Sequence, residues 1–111
     1  MEDDVVSAQT LGELISRRRK ELGLSQKELA VKILREEDGK SISPQYLNDI
    51  EHDRRTPSSD NIIKQLANVL DAEADYLFYL AGTIPQEYRN QPRSQEEVVG
   101  VLSAFRKSAT R

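Results

Sequence analysis

Residues 10–30 read TLGELISRRRKELGLSQKELA, a stretch that contains the beginnings of two helices. Thr10 and Ser25 each precede a glutamate by three residues, which is the spacing of a capping box at a helix N-terminus. Gly23 stands between them, where a helix C-terminus favours glycine. Because the apolar residues after each cap recur at three and four, the stretch predicts one helix over 11–22 and a second that starts at Ser25.

The helical period continues to the end of the chain, and no alternating strand pattern accompanies it. The apolar face of the second helix extends to Leu34, and four further helices are expected over 43–53, 59–70, 71–82 and 94–107. The expected fold class is therefore all-α. The residues expected in its core are Leu11, Leu14, Ile15, Leu22, Leu29, Ala30, Ile33, Leu34, Leu47, Ile50, Ile62, Ile63, Leu66, Ala67, Leu70, Leu77 and Leu80.

The composition fits one small domain without a cofactor. The 111 residues are 37% apolar but only 5% aromatic, so the core must be built from aliphatic side chains. Cysteine is absent, which excludes disulfides and thiolate metal sites, and the single histidine, His52, argues against a histidine metal site. No apolar run approaches the roughly 20 residues that span a bilayer. We expect a cytoplasmic protein that is not an enzyme and binds no metal.

The net charge of −3 at first argues against a nucleic-acid partner. The charge is unevenly distributed, however, because residues 1–12 are acidic whereas 17–20 and 54–55 are compact basic clusters. Affinity for phosphates depends on the local field that faces them and not on the total charge. The composition therefore permits DNA binding, although a solvated helix face is the simpler interpretation of the first cluster.

Segment 43–58 reads SPQYLNDIEHDRRTPS and has the properties of a helix that lies in a DNA groove. Ser43 is a cap and Pro44 occupies the first helical position, where its missing N–H is tolerated. Leu47 and Ile50 are spaced to point inward. The side chains expected to point outward are Gln45, Tyr46, Asn48, Asp49 and His52.

The outward side chains are of the types that contact DNA. The amides of Gln45 and Asn48 can pair with base edges, and Tyr46 can meet a phosphate or a thymine methyl group. Arg54 and Arg55 follow directly, where a chain leaving the groove would cross the phosphate backbone. Ordinary solvated helix residues are the alternative interpretation of Gln45 and Asn48.

Four stretches together resemble the Cro/C1-type (XRE-like) helix-turn-helix family of transcriptional regulators. They are LGELISRRRKELGLSQKELA at 11–30, SPQYLNDIE at 43–51, RRTPS at 54–58 and LANVL at 66–70. The resemblance covers about residues 10–82. It implies a five-helix, lambda-repressor-like DNA-binding bundle with a short C-terminal helix. It also implies sequence-specific binding of double-stranded DNA, with helix 43–53 in the major groove and repression as the expected effect.

The resemblance implies roles for individual residues. The positions that read bases correspond to Pro44, Gln45 and Asp49, to which the outward amide of Asn48 is added. The expected phosphate contacts are Ser25, Gln26, Lys27, Tyr46, Arg54 and Arg55. Arg19 and Glu51 match a buried ion pair that joins the first helix to the end of the third.

Two departures from the family pattern are evident. Residues 31–42 separate Ala30 from Ser43, where the family usually has about five residues, so the turn must be extended, and a longer second helix is one way to do this. Asp49 would be an anion directed at DNA. It can accept a hydrogen bond from cytosine N4, but it can equally repel phosphates.

The C-terminal part suggests an assembly element. Val98, Val101, Leu102 and Phe105 form one stripe of the last predicted helix. Packing on the bundle is one interpretation of this stripe, and a homodimer seam is the other. The expected organisation is an acidic tail over 1–9, a DNA-binding domain over 10–82, a linker over 83–93 and the C-terminal helix over 94–111.

The expected partners are a palindromic operator in double-stranded DNA and a second copy of the chain, without a membrane or a small-molecule cofactor. Bound to DNA, the protein would be associated with the nucleoid. The alternative function is a protein-interaction module of the same fold, such as an antitoxin-like partner or an adaptor. An adaptor would be expected to have apolar residues on the outward face of helix three, and that face is polar.

Overall fold

The computed structural model describes residues 9–83 and 94–109, with the side chains of the second range described to residue 103. The helices in these residues are α1 Leu11–Glu21, α2 Gln26–Ala30, α3 Pro44–Glu51, α4 Asp60–Leu70, α5 Ala74–Ala81 and α6 Gln95–Ala109. The all-α fold class is confirmed. Residues 1–8 of the expected tail and 84–93 of the expected linker lie outside the described residues.

The first four helices begin at side-chain caps. The hydroxyl groups of Thr10, Ser25, Ser43 and Ser59 each accept the backbone N–H three residues further on. Thr10 and Ser25 complete the predicted capping boxes. Such a cap contributes about 1 kcal/mol to helix stability, so the polar residues between the apolar runs determine where each helix starts.

The core lies around α1, which packs against α3, α4 and α5, while α2 packs on α3 and α4 on α5. The buried apolar side chains are Leu11, Leu14, Ile15, Leu29, Ala30, Ile33, Ile42, Leu47, Ile50, Ile62, Ile63, Leu66, Ala67, Leu70, Leu77 and Phe78. Most were expected from the helical period. The expectation was wrong for Leu22 and Leu34, which are exposed because α1 and α2 end before them.

The start of α5 also differs from the expectation. Asp71 adopts a left-handed conformation, with φ of 54°, and ends α4, so α5 begins at Ala74 and not at 71 or 72. Its buried residues are Leu77 and Phe78. Leu80 lies at the edge of this face and is only half-buried.

The extended turn is not a longer second helix, and that interpretation was wrong. Helix α2 ends at Ala30, and residues 33–42 fold back on themselves as a hairpin-like loop, here called the 33–42 hairpin. The N–H of Ile42 donates to the carbonyl of Ile33 (2.9 Å), and the N–H of Arg35 donates to the carbonyl of Lys40 (2.8 Å). Because Ile33 and Ile42 are both buried, the base of the hairpin belongs to the core.

Helix α4 fixes the hairpin in place through one amide. The Oε1 of Gln65 accepts the N–H of Leu34 (2.8 Å), and its Nε2 donates to the carbonyl of the same residue (2.7 Å). These two hydrogen bonds resemble those that a neighbouring β-strand would make, and they satisfy both the N–H and the carbonyl of Leu34. The long turn is therefore an anchored element beside the N-terminus of α3.

Helix α1 approaches α3 so closely that one contact requires glycine. A Cβ atom on Gly12 would lie 2.4 Å from the carbonyl oxygen of Ile50 and 2.5 Å from that of Glu51. Both atoms belong to the backbone, so a neighbouring side chain cannot relieve the contact by turning away. The position of the C-terminal end of α3 is therefore set directly by α1.

Helix α6 begins at a third capping box, in which Ser94 and Glu97 exchange hydrogen bonds of 2.9 and 3.0 Å. It extends to Ala109, two residues beyond its expected end. Val98, Val101 and Leu102 are 42%, 59% and 46% exposed, so in the single chain they are not core residues. The side chain of Phe105 lies outside the described residues. Within the described part of the chain, no helix combines the length and apolar character needed to cross a membrane.

Candidate nucleic-acid interface

Helix α3 has one buried side and one polar side. Leu47 and Ile50 are buried and hold it against α1 and α2. Ser43 accepts the N–H of Tyr46, and Pro44 occupies the first helical position. Gln45 is exposed. The helix is therefore fixed through its apolar side, and its N-terminal polar groups are accessible to solvent.

Gln45 and Asp49, two of the predicted base readers, are hydrogen-bonded to each other, and Asp49 is also bonded to Arg54, a predicted phosphate contact. The carboxylate of Asp49 accepts from the Nε2 of Gln45 (3.0 Å) and from the Nε and Nη2 of Arg54 (3.3 and 3.1 Å). Asp49 is thus not an unpaired anion. Repulsion of phosphates by Asp49, which the sequence left open, is reduced by the neighbouring guanidinium charge.

Tyr46 and Arg55 form a second unit on the same side. The hydroxyl oxygen of Tyr46 accepts the N–H of Ser58 (2.7 Å), and the guanidinium carbon of Arg55 lies 5.4 Å from the centre of the tyrosine ring. This cation–π contact orients an exposed cation. The hydroxyl proton of Tyr46 is not used by Ser58, so it can be donated outward.

Arg19 and Glu51 form the expected ion pair. The Nε and Nη2 of Arg19 donate to the two carboxylate oxygens of Glu51 over 2.7 and 3.0 Å, and the side chains are 10% and 3% exposed. Arg19 also donates to the carbonyl of Leu24 (2.9 Å). The pair therefore joins α1, the turn before α2 and the end of α3.

Gln26 connects this ion pair to Asn48, a predicted base reader. Its Nε2 donates to Glu51 (2.9 Å) and to the side-chain oxygen of Asn48 (3.1 Å). Ser25 and Lys27, on either side of it, are exposed. The amide nitrogen of Gln26 is therefore engaged inside the protein, which leaves Ser25 and Lys27 as the accessible groups at the start of α2.

The three acidic residues around the end of α3 do not form one cluster. Asp49 bonds Arg54, Glu51 bonds Arg19, and Asp53 accepts from the hydroxyl of Thr10 (2.6 Å) and the N–H of Gly12 (3.1 Å). Asp53 has a φ of 60°. By accepting the N–H of Gly12, Asp53 satisfies one of the N–H groups that have no partner within α1. No sequence pattern predicted this role.

The basic cluster at 17–20 is mostly used for structure. Arg17 and Arg18 bond Glu21, and the Nε of Arg18 also donates to the carbonyl of Leu70 at the end of α4 (3.0 Å). The hydrogen bond from Arg18 is the main cause that lowers the pKa of Glu21. Arg19 is buried and Arg18 half-buried, so within this cluster only Arg17 and Lys20 lie on a solvated face, and the cluster is not a row of phosphate contacts.

A family model described as helix-turn-helix matches residues 15–77, which is more than half of the chain. The chain belongs to the XRE-type helix-turn-helix family. Membership makes it a DNA-binding transcriptional regulator. Comparison with curated proteins gives no match.

Solved structures similar to this helix-turn-helix protein include those of SinR. The master regulator for biofilm formation SinR in complex with DNA is 32% identical, with a TM-score of 0.50, and the match covers 62% of this chain and 98% of that one. The N-terminal DNA-binding domain of SinR from Bacillus subtilis is also 32% identical, over 61% and 88% of the chains, with a TM-score of 0.49. A complex of SinR with SinI is 24% identical over 92% and 100%, with a TM-score of 0.50, which shows a likeness of fold.

One feature at this surface of the helix-turn-helix protein was not predicted from its sequence. The 33–42 hairpin stands beside α3, and a groove of about 460 Å³ separates them. Arg35 and Glu37 line its hairpin side, and Gln45 and Asp49 line its α3 side. The Asp38-Gly39 dipeptide is a recognised turn signal and was the one available indication of this hairpin.

Proposed function

We propose that the protein is a repressor that binds double-stranded DNA sequence-specifically, with α3 in the major groove. The observation that carries this proposal is the polar, accessible N-terminal side of α3 in a protein of the helix-turn-helix family. Pro44, Gln45, Asn48 and Asp49 are proposed to read bases. Bound across an operator, the protein would block access to the promoter.

The phosphate contacts are proposed to flank this helix. Ser25 and Lys27 are exposed at the start of α2, and Tyr46 and Arg55 form the unit described above. Gln26 and Arg54 were expected to bind phosphates as well, but the amide nitrogen of Gln26 and the Nε and Nη2 of Arg54 have partners within the chain. They are weaker candidates for that role.

A homodimer on a palindromic operator is proposed because one helix-turn-helix unit reads only one half-site. The apolar side chains Val98, Val101 and Leu102 of α6 are exposed in the single chain, and contact with a second copy would bury them. We assign DNA binding to residues 10–82 and dimer formation to 94–111, with 83–93 as the linker.

The test is selection of bound sites from random duplex DNA, followed by affinity measurements on the selected and a scrambled duplex at several salt concentrations. We expect one preferred, symmetric sequence. Arg55→Gln should lower the slope of log affinity against log salt by about 1, because one phosphate contact is lost. Arg17→Gln, which removes an exposed cation bound to Glu21, is the matched control and should leave the slope unchanged. Absence of any preferred sequence would favour the protein-interaction module instead.

A further inference from the structure

The carboxylate of Asp49 uses its two oxygens differently. All three described hydrogen bonds, from Gln45 and from two nitrogens of Arg54, end on Oδ1. Among the described residues, no hydrogen bond reaches Oδ2. Asp49 is half-buried, so its carboxylate is held in one orientation and still reaches solvent. One oxygen is fixed by the protein, and the other is available to a ligand.

Arg54 is bound to Asp49 through its backbone as well as its side chain. Its N–H donates to the carbonyl of Asp49 (2.8 Å), in addition to the bonds from Nε and Nη2. Two separate connections to the same residue restrict the guanidinium group. A phosphate contact by Arg54 would have to compete with this arrangement, whereas Arg55 has no carboxylate partner among the described residues.

We propose that Asp49 reads a cytosine through its free Oδ2 and that Arg54 is the positioning residue that makes this possible. This inference rests on the proposed docking of α3 in the major groove. Arg54 balances the carboxylate charge, which reduces its repulsion from phosphates, and holds Oδ2 outward. Gln45 supports the same orientation by donating from Nε2, since a carboxylate can only accept.

The chemistry of the base edges selects cytosine. A carboxylate only accepts hydrogen bonds, and cytosine offers the N4 amino group as its single polar group in the major groove. Thymine O4 and guanine O6 and N7 are acceptors, so the carboxylate oxygen of Asp49 would be repelled by them. Adenine has a donor at N6 but also an acceptor at N7, and it therefore fits less well than cytosine.

The experiment begins with site selection by the full chain, which identifies the base pair that Asp49→Asn alone relaxes. We expect wild type to enrich cytosine there and Asp49→Asn to tolerate the other bases, adenine above all, because an asparagine amide donates as well as accepts hydrogen bonds. A duplex with 2-pyrimidinone at this position, which lacks the amino group, should bind wild type roughly ten-fold more weakly. It should bind Asp49→Asn with much less loss.

A charge-balanced variant tests the role of Arg54. Asp49→Asn with Arg54→Gln removes one anion and one cation and so keeps the net charge of wild type. If Arg54 is a positioning residue and not a phosphate contact, this variant keeps the wild-type salt slope, and Arg54→Lys, in which Asp49 is intact, weakens the cytosine preference. If Arg54 instead contacts a phosphate, the slope falls by about 1, as for Arg55→Gln. That result would overturn its assignment.

The outcomes separate this inference from the proposed function. If wild type selects a sequence but no cytosine preference depends on Asp49, the inference is wrong and the proposed function stands. If wild type selects no sequence at low salt, the proposed function itself fails. Circular dichroism of each variant shows whether a lost preference reflects unfolding, and Arg54→Lys provides a second variant that retains the charge without the planar fork.

Discussion

The buried ion pair between Arg19 and Glu51 gives a sharp test of how α1 holds the end of α3. Two hydrogen bonds of 2.7 and 3.0 Å join side chains that are 10% and 3% exposed. Glu51→Ala would leave the guanidinium of Arg19 without its partner and would remove an acceptor of Gln26. Because breaking a buried pair from one side costs about 3–5 kcal/mol, we expect a loss of that size in the free energy of unfolding.

For a domain of this size, 1 kcal/mol shifts Tm by roughly 4–8 °C. The Tm of Glu51→Ala, followed by circular dichroism, should therefore fall by more than about 12 °C. Glu36→Ala is the matched control, because Glu36 is exposed and has no described hydrogen bond or ion pair. Asp53→Ala is unsuitable as a control, since Asp53 accepts two hydrogen bonds from the start of α1.

A double variant distinguishes the cost of leaving one buried charge unpaired from the cost of lost side-chain packing. Arg19→Met combined with Glu51→Leu removes both charges, so no charge remains buried alone, and such replacements are often neutral or stabilising. We expect it to be more stable than Arg19→Met or Glu51→Leu alone, and the double-mutant cycle built from these variants measures the coupling energy. Equal melting temperatures for Glu51→Ala and Glu36→Ala would refute the reasoning.

Four further predictions address readout, packing, pH and assembly. Gln45→Ala should lose roughly 1–3 kcal/mol on the selected duplex and little on random DNA; an equal loss on both, in a binding titration, would exclude base reading. Gly12→Ala should destabilise the fold by about 1–3 kcal/mol in urea unfolding. The added Cβ would collide with the α3 backbone, and this cost outweighs the gain of about 1 kcal/mol in helix propensity. A variant more stable than wild type would contradict the close approach of the two helices. The N–H of Ser25 lowers the pKa of Glu28, so the stabilisation by this carboxylate is present above its unfolded pKa and is lost as pH falls through the lower folded value. As the pH falls below the ordinary glutamate pKa, Glu28→Gln should therefore lose less stability than wild type in thermal melts. Parallel stability curves for the two proteins would contradict this. Truncation after Gln91 should give a monomer by light scattering, and a dimeric product would place the interface outside α6.

Local chemistry explains why much of the bundle could be predicted. Caps such as Thr10 and Ser25 act over three residues, and the apolar period identifies the buried side of each helix without knowledge of its neighbours. The failures lie where helices end. Leu34 fits the period of α2, yet α2 ends at Ala30, because the chain turns into a hairpin whose backbone is bound by a residue of α4.

The candidate site was predictable in its residue types but not in its connections. Helical spacing directs Gln45 and Asp49 outward, and four positions of separation permit their hydrogen bond. Arg54 lies beyond the end of α3, so its return to Asp49 depends on the left-handed turn at Asp53. No local pattern specifies that turn, since it is held by Thr10 and Gly12 of a distant segment.

These connections make the stability of the bundle and the arrangement of its polar surface parts of one network. Gln26 donates both to the buried Glu51 and to the side chain of Asn48, a proposed base reader. Asp53, one turn after Asp49, bonds the N-terminus of α1. A change that loosens α1 from α3 would therefore also release Asn48 and the turn that carries Arg54. Variants at Arg19 or Gly12 should accordingly lose sequence discrimination as well as stability, even under conditions in which they remain folded.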